Sequence, residues 1–397
     1  MNEWKEYKLR ELNCNFLSGY SFKSEDYAVN GIPLIKIGNI QERRVSIEFS
    51  NNFIPNYLLK EKTKKFLLEN KDILIAMTGQ GSVGRVGRLI LPNGKKAILN
   101  QRVGKFICDE INLNREYLFY ILTTDLYQDY LFGAGTGSGQ PNLSPEIILN
   151  TEIPAPPLAE QKAIAGVLSS LDDKIDLLHR QNKTLEAMAE ALFRQWFVEE
   201  AGEDWEEKLQ LGELVESVSA THKLKEEKII FLNTSDIYLG RVLSSSYSLV
   251  SELPGQAKKS IKKNDILFSE IRPANGRWAF IDFEAKDYVV STKLMVLRNK
   301  GKINQAFIYF YLTNPATTDW LQLLAESRSG TFPQITFDQL NTLKINIPSR
   351  DKLINVEAWC SVNLAKILEN NRKIQTLEKL RDTLLPKLMS GEVRVAV

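Results

Sequence analysis

The stretch AEQKAIAGVLSSLDDKIDLLHRQNKTLEAMAEALFRQWFVE, residues 159–199, decides how the rest of the chain is read. Ile164, Leu168, Leu171, Ile175, Leu178, Asn182, Leu185, Ala189, Leu192 and Trp196 follow one another at alternating steps of four and three, and only Asn182 is polar. That spacing is the a/d seam of a helix packed lengthwise on another helix. IPAPPLAEQ, residues 153–161, supplies its start: prolines that end a strand, then good helix formers. Ser169-Ser170 marks a candidate break. The same phase recurs more loosely near the end of the chain in Ile367, Asn370, Ile374, Leu377, Leu384 and Leu388. There Pro386 is expected to kink or end the helix and Ser390-Gly391 to close it. A lone seam helix belongs in the core of a bundle. Two of them, of opposite charge balance, point to pairing with each other.

Working outward, the blocks before the two helices are copies of one unit. Trp4 with Lys8-Leu9 and Glu11-Leu12 returns as Trp205 with KLQLGEL, and KDILIAMTG from Lys71 returns as NDILFSEIRP from Asn264. Gly84-Arg85 returns as Gly276-Arg277, and NREYLFYILTT from Asn114 as NQAFIYFYLTN from Asn304. GQPNLSPEIILNTEIPAP from Gly139 returns as TFPQITFDQLNTLKINIP from Thr331, and TLE at Thr184 returns at Thr376. The common order, at an offset of roughly 190 to 202 residues, makes an internal repeat. Each block mixes short β-like runs (IPLIKIGNI, DILIAM, KIIFLN, DILFS) with turn signals and short helices, which predicts an α+β domain. The chain therefore divides into a domain at 1–157, a central spacer helix at 158–200, a second domain at 201–352 and a C-terminal spacer helix at 353–397.

The composition of the 397 residues excludes several classes. Apolar residues at 43% and charged residues at 25% are ordinary for a soluble globular protein. No apolar run approaches the ~18 residues of a membrane span, and MNEWKEYKL has no signal-peptide core. Three cysteines far apart in sequence (Cys14, Cys108, Cys360) make no disulfide framework, and two histidines (His179, His222) make no ligand cluster. The expectation is a reduced cytoplasmic protein without a metal. The net charge of +2 decides nothing about nucleic acid. Its distribution says more: the two domains are mildly basic and the central helical stretch is strongly acidic.

The helical run at 159–199, its echo LAKILENNRKIQTLEKLRDTLLPKLMSGEV at 364–393, and the blocks ending QPNLS…IPAPP and PQITF…INIPS together resemble the specificity subunits of type I restriction-modification enzymes. The resemblance covers nearly the whole chain, and LFRQWF and LPKLMSGE are its most specific parts. It implies two target-recognition domains held by an antiparallel coiled coil of the two helices, with pseudo-twofold internal symmetry. It further implies a non-catalytic subunit that reads a bipartite site in double-stranded DNA. Two methyltransferase subunits would dock on it, and motor-nuclease subunits through them. S-adenosylmethionine, ATP and Mg would belong to those partners and no cofactor to this chain. A coiled-coil adaptor with two protein-binding domains is the alternative.

Binding DNA requires cations for phosphates and a few Arg or amide side chains for base edges. The candidates in the first domain are Lys60, Lys62, Lys64, Lys65, Arg85, Arg88, Arg102, Gln140 and Asn142. In the second they are Lys258, Lys259, Lys262, Lys263, Arg272, Arg277, Lys293, Arg328 and Gln334. Each lysine group precedes a DIL strand, so the repeat predicts equivalent places for them, although such runs also read as solvated turns. Gln140, Asn142 and Gln334 suit adenine, and Arg272 or Arg328 suits guanine. Helix pairing falls to Ile175, Leu178, Asn182, Leu185, Leu192, Ile367, Asn370, Ile374, Leu377 and Leu384, with Asn182 meeting Asn370 or Asn371. Phe193, Trp196 and Phe197 are candidates for docking a partner or, equally, for core.

Motifs of catalysis fail on inspection. GQGSVG, Gly79–Gly84, matches a dinucleotide fingerprint but precedes a strand-like run rather than a helix, so it reads as a turn. NPAT at Asn314 lacks the second proline and the aromatic of an amino-methyltransferase motif. Asp265 with Glu284-Ala285-Lys286 fits a nuclease spacing only loosely, and the other copy has no counterpart. No catalytic residue is assigned.

Overall fold

Both DIL strands start from the same local device. Lys71 and Asn264 have positive φ (69° and 71°), and the next residue, Asp72 or Asp265, turns its carboxylate back into the chain. Glu69 N–H donates to Asp72 Oδ2 and Lys262 N–H to Asp265 Oδ2, each at 2.7 Å. A cation on the neighbouring strand neutralises each buried carboxylate: Lys105 on Asp72 at 2.7 Å, and Arg298 on Asp265 through bonds of 2.8 and 2.7 Å. Asp265 is thus a structural anion. Its carboxylate is wholly engaged, as a buried charge must be.

The computed structural model describes residues 4–41, 43–136, 141–196, 207–328 and 330–396. Contacts divide the chain into two units: Met1–Ile175 with Thr376–Val397, and Asp176–Gln375. The division falls inside both long helices, so each globular block keeps the helix segments packed on it.

In the first unit one sheet runs in the order Asn15–Ser18, Val103–Ile107, Ile73–Ala76, Val86–Ile90, Arg44–Ser46, Ile40–Gln41. A second runs Phe53–Ile54, Ile32–Ile35, Ala97–Leu99, Leu67–Leu68, with its middle pair parallel. The second unit repeats this plan. Val215–Ser217, Leu294–Asn299, Ile266–Ser269 and Trp278–Phe280 form one sheet. Tyr247–Leu249, Lys228–Leu232, Tyr288–Ser291 and Ala257–Ser260 form the other, again with a parallel middle pair. A further pair of strands lies between the start of each block and its end: Glu6–Lys8 with Glu152–Pro154, and Glu207–Gln210 with Lys344–Ile347. The internal repeat is therefore a repeat of topology.

The central helix spans Leu158–Arg194 and the C-terminal one Arg350–Met389. No break occurs at Ser169-Ser170; both hydroxyls donate to carbonyls of the preceding turn, Ala165 and Val167, at 2.7 Å. Pro386 does not end its helix, which continues to Met389 before Gly391 closes it at φ 73°. In the second unit the helix segments run antiparallel: Asn182 bonds Asn371 at 2.8 Å while Trp196 meets Trp359 at 6.0 Å. In the first, Asp172 bonds Arg381 at 2.9 Å, and Ile164 and Leu168 share a core with Leu385 and Leu388.

Ile175, Leu178, Asn182, Ile367, Asn370 and Ile374 are buried as the seam predicts. Leu185, Leu192, Leu377 and Leu384 are only half-buried, and Phe193 and Leu385 take the deeper positions. An α-helix of 3.6 residues per turn drifts ~20° per heptad against a strict 3.5 repeat, so the buried face moves by one residue along the helix. No helix among the described residues is long and apolar enough to cross a membrane.

Candidate nucleic-acid interface

Each DIL strand runs into a backbone clamp. Beyond Ile73–Ala76, Met77 N–H donates to Arg102 O at 2.9 Å, Leu143 N–H donates to Met77 O at 2.7 Å, and Thr78 bridges Asn142. Beyond Ile266–Ser269, Glu270 N–H donates to Lys293 O at 3.0 Å, Ile335 N–H donates to Glu270 O at 2.9 Å, and Ile271 bridges Gln334. The same hydrogen-bond pattern is built twice. In each unit it brings one predicted cation and one predicted amide to the same strand end: Arg102 with Asn142, and Lys293 with Gln334. Arg102 and Asn142 are exposed. Lys293 Nζ donates to Gln334 Oε1 at 3.2 Å and lies 3.8 Å from the Glu270 carboxylate.

Around the first clamp the GQGSVG segment is a turn between strands, as read. Gly79, Gly81 and Gly84 all have positive φ, and a Cβ on Gly84 would lie 2.9–3.0 Å from Phe132 N and Leu131. Arg85 is exposed, and its guanidinium donates to Gly81 O at 2.7 Å. Around the second clamp Arg272 is exposed with φ 45°, ahead of Pro273, and its N–H donates to Pro333 O at 3.2 Å. Amide side chains suit adenine, and guanidinium groups suit guanine or phosphate.

Three assigned cations are otherwise engaged. Arg88 is only 9% exposed and pairs with Glu116 and Asp172. Burial works against its charge, but Glu116, Tyr120 and Asp172 outweigh that and leave its pKa raised. It is a core ion-pair residue rather than a phosphate contact. Lys259 Nζ donates to the carbonyls of Thr292 and Leu294 at 3.0 and 2.8 Å, and burial lowers its pKa. Arg277 donates to the carbonyls of Ser235 and Ile237 and lies over the Tyr238 ring at 5.2 Å. In each case strand-edge carbonyls or buried acids took the charge, which no charge count along the chain reveals.

Lys60, Lys62, Lys64 and Lys65 are exposed on and beside the helical turn Glu61–Lys64, where Lys64 pairs with Glu61. Lys258, Lys262 and Lys263 are exposed too, but on the strand Ala257–Ser260 and the turn after it. The two groups therefore occupy different elements, against the equivalence expected from the repeat. Gln140 and Phe197, and the side chain of Arg328, lie outside the described residues. Phe193 is buried against Phe307 at 5.5 Å, and Trp196 packs on the same core, so both serve the core rather than a docking face.

Several exposed aromatics escaped the sequence reading, two of them beside assigned cations. Tyr57, 77% exposed, sits on the turn Asn56–Leu58 just before the first lysine group, and Tyr238 stands on a hairpin beside Arg277. Exposure of a loop aromatic has no periodic signal, so only the tertiary structure finds it.

The duplicated clamp, with a cation and an amide at each strand end, belongs to a two-unit α/β protein with no candidate metal cluster among the described residues. The family model of the type I restriction modification DNA specificity domain matches residues 1–187 and again 202–383, and the chain belongs to that family. It is 41% identical over 183 residues to the HindI specificity subunit of Haemophilus influenzae, a match spanning 46% of this chain and 40% of that protein. With the MjaIX specificity subunit of Methanocaldococcus jannaschii it shares 27% over 309 residues, 70% of this chain and 69% of that one. The crystal structure of a type I S subunit from M. genitalium superposes with a TM-score of 0.63 at 17% identity, covering 98% of this chain and 96% of that one, which is a likeness of fold.

Proposed function

We propose that each unit reads one half-site of a bipartite target in double-stranded DNA, as the specificity subunit of a type I restriction-modification complex. The observation that carries this reading is the clamp built twice, with Arg102 and Asn142 in one unit and Lys293 and Gln334 in the other. In this reading the length of the two long helices sets the gap between half-sites. Two methyltransferase subunits dock on the chain and bring motor-nuclease subunits with them. S-adenosylmethionine, ATP and Mg act in those partners; this chain contributes recognition and no catalysis. With Phe193 and Trp196 in the core, docking falls to exposed helix faces. One such face is a shallow groove of about 370 Å³ lined by Leu177, Arg180, Gln181, Thr184, Leu185, Lys366 and Asn370.

Co-expression with a type I methyltransferase partner, followed by sequencing of modified adenines in genomic DNA, tests this. Two short half-sites at one fixed spacing are expected, and a contiguous motif overturns the bipartite reading. Alanine at Lys258, Lys262 and Lys263 is expected to weaken binding of all sequences, each lost phosphate contact lowering the log–log salt slope by about 0.9. An unchanged slope assigns those lysines to a solvated turn.

A further inference from the structure

Two cysteines distant in sequence are neighbours in the fold. Strand Asn15–Ser18 pairs antiparallel with Val103–Ile107, and the last pair in register is Asn15 with Ile107. The next residues outward are Cys14 and Cys108, and their sulfurs lie 3.7 Å apart. Directly opposed residues of an antiparallel pair hold their Cα atoms ~4.5–5.5 Å apart, within the ~4.4–6.8 Å that a disulfide spans. Cys14 is buried under the turn Leu9–Leu12, with its N–H on Leu9 O at 3.1 Å, whereas Cys108 is half-exposed. Cys108 is thus the more accessible residue of the pair. Cys360, buried in the second unit, has no cysteine neighbour and serves as an internal control.

We propose that Cys14 and Cys108 are a redox-active dithiol that closes to a disulfide by exchange with a small-molecule disulfide of the glutathione class. The Cys108 thiolate attacks one sulfur of oxidised glutathione, forming a mixed disulfide and releasing one glutathione. Cys14 then attacks the Cys108 sulfur and releases the second. Two protein thiols become one disulfide, and their two protons end on the two glutathione thiols. The bond would tie the outermost strand of its sheet to the neighbouring one. The hydrogen bond with Cys14, and then burial, raise the Cys108 pKa, so the dithiol persists at neutral pH and exchange accelerates as pH rises.

The full chain is equilibrated with excess oxidised glutathione at about pH 8.5, then unfolded, alkylated and mapped by mass spectrometry. The expected map has Cys360 as the sole alkylated residue. A cross-linked Cys14–Cys108 peptide pair lighter by two hydrogens accompanies it, and dithiothreitol reverses both changes. Cys14→Ser is expected to stop at a stable glutathione adduct on Cys108 that the wild type does not retain. A wild-type map with three alkylated cysteines, or with glutathione still on Cys108, overturns the proposal whether or not the variant folds.

Discussion

Where the helices pack inside the first unit the seam carries an ionic layer; the matching layer inside the second is apolar. Asp172, buried on the central helix, accepts from Tyr120 Oη at 2.7 Å and from Arg381 at 2.9 Å, with Arg88 3.5 Å away and Glu116 completing the network. The repeat carries Asp172 onto Leu364, Arg381 onto Ala189, Arg88 onto Phe280, Tyr120 onto Phe310 and Glu116 onto Ala306. Those five residues are all buried in one hydrophobic cluster of the second unit. Two arginines and two carboxylates in one unit thus stand where the other has aliphatic and aromatic side chains. The same topology forms around either chemistry, so the ionic layer is not needed to make the fold. A buried pair rarely adds stability over apolar residues of similar volume, and its best-attested use is to specify which surfaces meet. The second unit specifies its pairing by amides instead: Asn182 donates to Asn371 and accepts from Asn370, each at 2.8 Å.

The largest effect expected from breaking this contrast is Asp172→Leu, which imports the second unit's residue alone. Arg88 and Arg381 lose their shared carboxylate, and chemical denaturation should show a loss of roughly 3–5 kcal/mol. Importing the whole apolar set (Arg88→Phe, Glu116→Ala, Tyr120→Phe, Asp172→Leu, Arg381→Ala) should recover most of it. Equal losses in the single and fivefold variants would mean that packing, and not charge, distinguishes the two seams.

Asn182→Ala comes next. It leaves a donor on Asn370 and an acceptor on Asn371 buried without their partner, at roughly 1–3 kcal/mol for each group. Asn370 Oδ1 already has no partner, so the layer has little slack. Thermal unfolding measures the loss, and a midpoint unmoved from wild type would show that the amide layer is not the second unit's counterpart of the ionic one.

The smallest effect sharpens the contrast between buried and exposed pairs. Glu369 lies half-exposed on the C-terminal helix, and hydrogen bonds first from Lys373 and then from Lys366 hold its pKa down, to about 2. A depressed carboxylate adds stability above its unfolded pKa, and that contribution disappears as pH falls toward 2. Glu369→Gln should therefore flatten the acid limb of the stability curve slightly between pH ~4.5 and ~2 while leaving neutral stability almost unchanged. A marked loss at neutral pH would contradict a solvent-screened pair.

Much of this is legible in the sequence. Asn182, the lone polar residue of its seam, announced a polar partner, and Asn370 and Asn371 proved to be it, because a buried amide must be satisfied within reach. What misled was the strict 3.5 spacing: it pointed to Leu171 and Leu192, whereas the drift of a straight helix buries Asp172 and Phe193. Charge counting misled in the same way for Arg88, Lys259 and Arg277, since a cation's availability depends on which acids and carbonyls the fold sets beside it.

The sequence by itself determined the duplicated α+β block, the two seam helices and the family, because these rest on local periodicity and on order along the chain. Only the tertiary structure decided which cations face solvent, which seam layer is ionic, and that Cys14 lies against Cys108. Those are matters of long-range register, in which a shift of one residue moves a side chain to the opposite face of a strand or about 100° around a helix.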